Sequence, residues 1–320
     1  MKIPFSPSVY EHAAFLIGRS PWDVSRDADL LFEAHRTAYL EYRHSPLVVG
    51  IDIYNLEAEA YGAVVVEPTS RGVPAIHEPL VGSLEEARSL PCFDPRVAGR
   101  LPMVIAVGRR LAREIPGADV RIPVSGPFSI AVSVRGIDGL LEDVALQPGA
   151  TAAWLIQLAE NQAAFCQSIA EHRLDLAFFE SASAPPLLSP KQFREVEIPA
   201  LRRVMAIAEC TMGHPVPCII GGDTTPILDD ILATSTDYVI CPAETDQAAF
   251  IAKSVSHPHV KVRINLDPNT LVSGAPATIL REVDRILALA ATRPNCLLGT
   301  GCLPYETPPA NVKLIRDYVA

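Results

Sequence analysis

The chain has 320 residues, of which 49% are hydrophobic, 20% charged and 6% aromatic, a balance that buries a large core and excludes a disordered or fibrous chain. Lys and Arg number 27 against 37 Asp and Glu, a net charge of -10, which argues against nucleic acid or an anionic membrane surface as partner. No apolar stretch approaches the roughly 20 residues that span a bilayer, and Met1 to Tyr10 lacks the basic-then-apolar order of a signal peptide, so a cytoplasmic location is expected.

In chain order, residues 1–45 read as a helical N-terminal segment that covers the body of the domain. Short, continuously apolar runs then alternate with longer amphipathic stretches, the runs being 47–53, 119–125, 175–181, 217–221, 237–241, 260–266 and 296–300. Continuous rather than alternating apolarity suits parallel strands covered on both faces. Such strands separated by helices predict an α/β fold, a (β/α)8 TIM-type barrel forming one domain over residues 1–320. The intervening helices carry start signals: Ser83 with Glu86 three residues on, and the hydroxyls of Ser189 and Thr225 just before Pro190 and Pro226. Residues 149–172 and 274–291 form the longest outer helices by pattern, and their apolar residues are packing.

Seven cysteines, Cys92, Cys166, Cys210, Cys218, Cys241, Cys296 and Cys302, are odd in number and irregular in spacing, which fits free thiols rather than a disulfide framework. His257 and His259 precede the strand at 260–266 and fall on the N-terminal rim of a barrel, where a solvated turn is expected. No G-x-G-x-x-G follows a strand, and neither a phosphate-binding G-x-x-x-x-G-K-[ST] nor a G-x-S-x-G nucleophile elbow is present.

Chemistry in such a barrel sits where strands end. Asp52, Tyr54 and Asn55 follow the first run, Ser125-Gly-Pro127 the second, Glu180 the third, Gly221-Gly-Asp223 the fourth, Cys241-Pro242 the fifth, Asn265 the sixth and Cys302 the last. Glu180 closes an otherwise apolar strand, so a lumen-facing Glu180 would need a cation, metal or substrate donor. Asp223 reads either as a functional carboxylate or as the acceptor of a loop-fixing hydrogen bond. Asp52, Tyr54, Asn55 and Asn265 are the candidate substrate-binding residues, and Cys302, Glu180 and Asp223 the candidate catalytic ones.

Several strings here occur together and in family order: Ser125-Gly-Pro-Phe-Ser129, Gly222-Asp-Thr-Thr-Pro-Ile-Leu228, Asn265-Leu-Asp-Pro268, Gly301-Cys-Leu-Pro304 and Thr307-Pro-Pro-Ala-Asn311. With Glu57-Ala-Glu-Ala-Tyr-Gly62 and Leu188-Ser-Pro-Lys-Gln-Phe193, they make the chain resemble the uroporphyrinogen decarboxylase superfamily. That resemblance implies a (β/α) barrel and two branches of activity, porphyrinogen decarboxylation and zinc-dependent methyl transfer between a corrinoid and a thiol. The decarboxylase branch grips its tetrapyrrole carboxylates with an arginine-rich N-terminal motif. Residues 1–23 hold only Lys2 and Arg19 as cations, so tetrapyrrole decarboxylation is not expected.

Resemblance to the methyltransferase branch implies zinc held by a His-x-Cys at one strand end and a distant Cys in a Gly-Cys before the final helix. Cys302 matches the distant ligand, whereas the His and Cys positions fall on Ile219 and Gly221, neither of which binds a metal. Two readings are open. A mixed site would join Cys302 to Cys218 or Cys241 and to Glu180, although Cys218 lies one residue off the ligand position and so turns to the opposite strand face. Alternatively Cys302 is an unmetallated thiol. The expected function is methyl transfer between a corrinoid carried on a separate protein, or a small methyl donor, and a small-molecule acceptor. A decarboxylase of a small carboxylate and a catalytically inactive ligand-binding barrel are the alternatives, and a homodimer stays open as the assembly.

Overall fold

A computed structural model describes residues 3–320. Strands β1 (Phe5–Ser8), β2 (Leu47–Val48), β3 (Val120–Ser125), β4 (Asp175–Glu180), β5 (Cys218–Ile220), β6 (Tyr238–Cys241), β7 (Lys261–Leu266) and β8 (Cys296–Cys302) form two four-stranded sheets, ordered β1-β8-β7-β6 and β2-β3-β4-β5. Every pairing within these two sheets is parallel, with Gly299 opposite Asn265 and Ser125 opposite Phe179. The seam between β5 and β6 is bridged by the Thr236 side chain, which accepts from Cys218 N at 3.1 Å and donates to Val216 O at 2.9 Å.

Strand parity divides the buried side chains. Leu176, Phe178, Cys218, Ile220, Val262, Ile264 and Leu298 belong to the large core beneath the helices, whereas Ala177, Phe179, Ile219, Tyr238 and Ile240 join Tyr10 and Ile53 in a separate buried cluster. That second cluster draws on both sheets, so it is the lumen of a closed ring of strands, each buried on both faces as its continuous apolarity requires. The sheets are therefore two halves of one parallel barrel.

Two local outcomes differ from the sequence reading. The segment 1–45 is helical over Tyr10–Leu16, Pro21–Arg26 and Ala28–Tyr42, but it also contains β1, the eighth barrel strand. Its Phe-Ser-Pro-Ser sequence hides the strand: Ser6 and Ser8 are buried although polar, and Pro7 interrupts β-propensity. The run expected at 47–53 is a strand only over Leu47–Val48, because Gly50 adopts a φ of 146° and Ile53–Asn55 turns as a short 3-10 helix.

The caps at Ser83 and Ser189 form as expected, the latter as a reciprocal capping box with Gln192. Thr225 does not cap. Its amide is instead held by Asp223 Oδ1 at 3.2 Å. A two-stranded hairpin, Val65–Val66 with Ala75–Ile76, stands outside the barrel.

Candidate active site

The C-terminal half of the lumen gathers aromatic, amide, thiol and cationic groups. Phe179, near the end of β4, meets Tyr10 edge-on with ring centroids 6.2 Å apart and Tyr54 in the same way at 6.4 Å. Tyr10 begins the helix after β1, and Tyr54 lies in the turn after β2. Across the ring, Arg263 and Asn265 share the lumen face of β7, the intervening Val262, Ile264 and Leu266 facing the helices. Arg263 Nε donates to Asn265 Oδ1 at 3.1 Å, and Nη1 reaches the Ser6 carbonyl at 3.5 Å. Gly299 on the neighbouring strand makes this possible, since a Cβ there would collide with the Arg263 stem.

Cys302 closes β8 at the open mouth of the lumen. Solvent reaches it, yet the walls around it hydrate a thiolate poorly and Glu11 adds negative potential, so its thiol is pushed up to about 12 against the opposing pull of Arg263. Burial raises the Tyr10 and Tyr54 phenols as well, each with a further push from Cys302. Near neutral pH all three are therefore protonated hydrogen-bond donors, not ready bases or nucleophiles.

Tyr54, Asn265 and Cys302 are thus the expected site residues that the fold brings together. Asp52 and Asn55 are spent elsewhere. Both carboxylate oxygens of Asp52 accept from Arg100 at 2.7 Å, and Asn55 Nδ2 donates to Asp52 at 3.1 Å and to the Pro74 carbonyl at 2.7 Å. Arg100 Nε also pairs with Glu59 at 2.6 Å, and Arg26 with the same carboxylate. Asp223 sits half-buried on the strand-end loops and takes a second bond from Thr245 Oγ1 at 3.3 Å, the loop-fixing arrangement.

Glu180 faces away from the lumen, on the same side of β4 as Leu176 and Phe178. Its carboxylate accepts from Ser129 N at 2.6 Å at the start of helix Pro127–Arg135, against Gly126, where any Cβ would overlap it. Burial raises its pKa to about 8, partly opposed by the Ser129 hydrogen bonds and reinforced by Glu57. Behind it Glu197 is fully buried with neither carboxyl oxygen hydrogen-bonded, and burial followed by Glu180 raises it well above the ordinary range.

The residues do not fit a zinc ion. Cys218 lies in the helix-facing core with its thiol raised by burial, and Glu180 is turned the same way, so neither converges on Cys302. Cys241 likewise belongs to that core. Among the described residues no three His, Cys, Asp or Glu side chains are placed to hold a metal ion, and Ile219 presents an apolar wall where the family resemblance implies a histidine.

Sequence reasoning passes over Arg263, Tyr10 and Phe179. For Arg263 a signal is present: an arginine inside an apolar strand, two residues before Asn265 and hence on the same face. At the opposite end of the lumen a cavity of about 700 Å³ opens among Arg121, Asp237, Tyr238 and Lys261. These residues begin their strands, and the chemistry of parallel barrels resides at the other end.

Fold and site together define a parallel (β/α) barrel with a cluster of polar groups toward the C-terminal strand ends. The Uroporphyrinogen decarboxylase (URO-D) family profile matches residues 2–320, and the chain belongs to that family. A methyltransferase from Methanosarcina mazei superposes over 99% of this chain and 94% of its own with a TM-score of 0.82 at 18% identity, which establishes the fold. A uroporphyrinogen decarboxylase from Chlorobaculum parvum is 28% identical over 137 residues, a match spanning 41% of this chain and 38% of that protein. No helix among the described residues is long and apolar enough to cross a membrane.

Proposed function

We propose that this chain is a methyltransferase of the uroporphyrinogen decarboxylase-like family, moving a methyl group between a corrinoid presented at the C-terminal mouth and a small acceptor seated in the lumen. The observation that carries the reading is the position of Cys302, open to solvent at that mouth and in electrostatic reach of Tyr10, Tyr54 and Arg263. A methylcorrinoid would supply an electrophilic methyl and keep the bonding electron pair, and a thiol acceptor would enter as its thiolate, having given its proton to solvent.

The chain's own part is seating and desolvation. Phe179, Ile219 and Ile240 wall the lumen and exclude water around an apolar methyl group. Tyr10 and Tyr54 stay protonated and orient the acceptor as donors. Cys302, held as a thiol by its surroundings, lines the transfer path, so the attacking atom belongs to the acceptor. No step is routed through zinc, for which the donors do not converge.

The same non-convergence of metal donors favours a second reading, metal-free decarboxylation of a small carboxylate. Incubation of the protein with methylcobalamin and 3-mercaptopropionate separates the two. Loss of the methyl-cobalt absorbance, dependent on the protein and slowed in Cys302→Ala, is the expected result. An unchanged spectrum across a panel of small thiols, with carbon dioxide released from small carboxylates, overturns methyl transfer in favour of the second reading.

A further inference from the structure

Arg263 is only 6% exposed, and a guanidinium does not deprotonate in proteins. Burying such a charge is costly unless it is paired and hydrogen-bonded. Among the described residues Arg263 pairs with no carboxylate: its partners are the Asn265 amide oxygen and, at a long 3.5 Å, the Ser6 carbonyl. Arg100 differs in having acids as partners, Asp52 and Glu59. Arg293, 5% exposed at the N-terminal rim and also without a carboxylate partner among the described residues, differs in giving Nη2 to two loop carbonyls at a short 2.9 Å.

The placement is built rather than incidental. Asn265 fixes Nε at 3.1 Å, Nη1 reaches the Ser6 carbonyl only at 3.5 Å, and the guanidinium lies within electrostatic range of Tyr10 and Cys302. Gly299 leaves room for the stem. The Nη1 and Nη2 edge of a guanidinium carries parallel N–H groups whose geometry matches a planar carboxylate, and here its one contact among the described residues is the long one to Ser6. Arg263 lies within electrostatic range of both Tyr10 and Cys302, while Glu11 and Glu244 add negative potential at Cys302, so one guanidinium set against nearby acids suits a substrate with a single carboxylate rather than several.

We propose that Arg263, oriented by Asn265 and admitted by Gly299, is the anchor for the carboxylate of a small monocarboxylate substrate whose apolar end lies against Phe179 and Ile240. This specifies the substrate class of the site assigned above and rests on that site being the one used. It does not depend on which of the two reactions the site carries out.

Binding without turnover tests it. Calorimetric titration compares 3-mercaptopropionate with 3-mercapto-1-propanol, which differs by the missing charge. The parent protein is expected to favour the carboxylate by about 30-fold, the range of a charge-assisted bidentate contact. Arg263→Gln is expected to abolish the preference while leaving the alcohol's affinity unchanged, and Arg263→Lys, which keeps the charge but not the fork, to retain part of it. Equal affinities in the parent, or a preference surviving in Arg263→Gln, overturns the proposal. If Arg263→Gln fails to fold, Arg263→Lys decides: an undiminished preference overturns the bidentate anchor. Carboxylate binding that depends on Arg263 with no loss of methyl from methylcobalamin would leave this inference standing and remove methyl transfer.

Discussion

Two buried arginines, Arg100 at the start of helix Leu101–Glu114 and Arg263 on β7, have opposite fates. Arg100, outside the barrel, is locked to Asp52 through two bonds of 2.7 Å and shares Glu59 with Arg26. Arg263, inside the lumen, is held by an amide and a carbonyl and, among the described residues, forms no ion pair with an acid. In the first case the protein supplies its own counter-charge, so the group ties helix 101–114 to the turn after β2. In the second the counter-charge is missing from the fold, and an unmatched buried charge directs attention to a ligand.

Breaking the matched region carries the largest expected effect. Arg100→Met strands the buried Asp52 carboxylate and leaves Glu59 with Arg26 alone, and chemical denaturation should record a loss of about 3–5 kcal/mol. A loss below about 1 kcal/mol, the scale of an exposed ion pair, would show that the network is not structural.

A second contrast lies in acid pairs without a cation. Glu180 and Glu197 both hold their protons more tightly in the folded state, Glu180 rising from 4.5 to about 8. A carboxyl with a raised folded-state pKa stabilises fully below its unfolded value and loses that contribution as pH rises through the folded one. Urea midpoints should therefore fall between about pH 5 and pH 8, and Glu197→Gln should make the fall shallower. Midpoints that stay level or rise across this window would contradict the buried, cation-free setting of the pair.

Gly299→Ala crowds the Arg263 stem, and overpacking of this kind costs about 1–3 kcal/mol; carboxylate binding should weaken with it. Unaltered stability and binding in this variant would mean that the arginine does not need the space. The smallest effect sharpens the comparison most. Arg263→Met removes an unmatched charge from an apolar lumen, so stability should stay within about 1 kcal/mol of the parent or rise, while the carboxylate preference vanishes. A stability loss matching that of Arg100→Met would erase the distinction between the two arginines.

Much of the barrel is legible in the sequence, because parallel strands buried on two faces write long apolar runs, and seven of the eight strands carry one. The eighth, β1, does not, since serine and proline suit a strand whose inner face is polar but give no apolar signal. The site is less completely legible for a related reason. Apolar runs do not reveal which parity faces the lumen, so strand-end position alone points Glu180 inward although it shares a face with Phe178, not Phe179. Asp52 and Asn55 do lie beyond a strand end, as expected, but a partner 48 residues later in the chain, Arg100, turns that carboxylate away, and local sequence holds no trace of it. Cys302, Asn265 and Tyr54 are legible because glycine, proline and strand-end position mark them directly.

The pairing of β1 with β8 has a consequence in time. Among the described strands β8 is the only hydrogen-bonded neighbour of β1, and Ser8 meets Thr300 across 292 residues of chain. At roughly 5–20 residues per second, synthesis leaves β1 without its partner for about 15–60 s. Through that interval Tyr10 and Ser6 wait beside an unfinished ring, and Cys302 arrives with the strand that closes it. The ribosome must deliver nearly all of these residues before the mouth of the lumen exists, so a nascent chain halted short of β8 would carry Tyr10, Tyr54, Phe179, Arg263 and Asn265 but lack Gly299, Cys302 and the partner strand of β1.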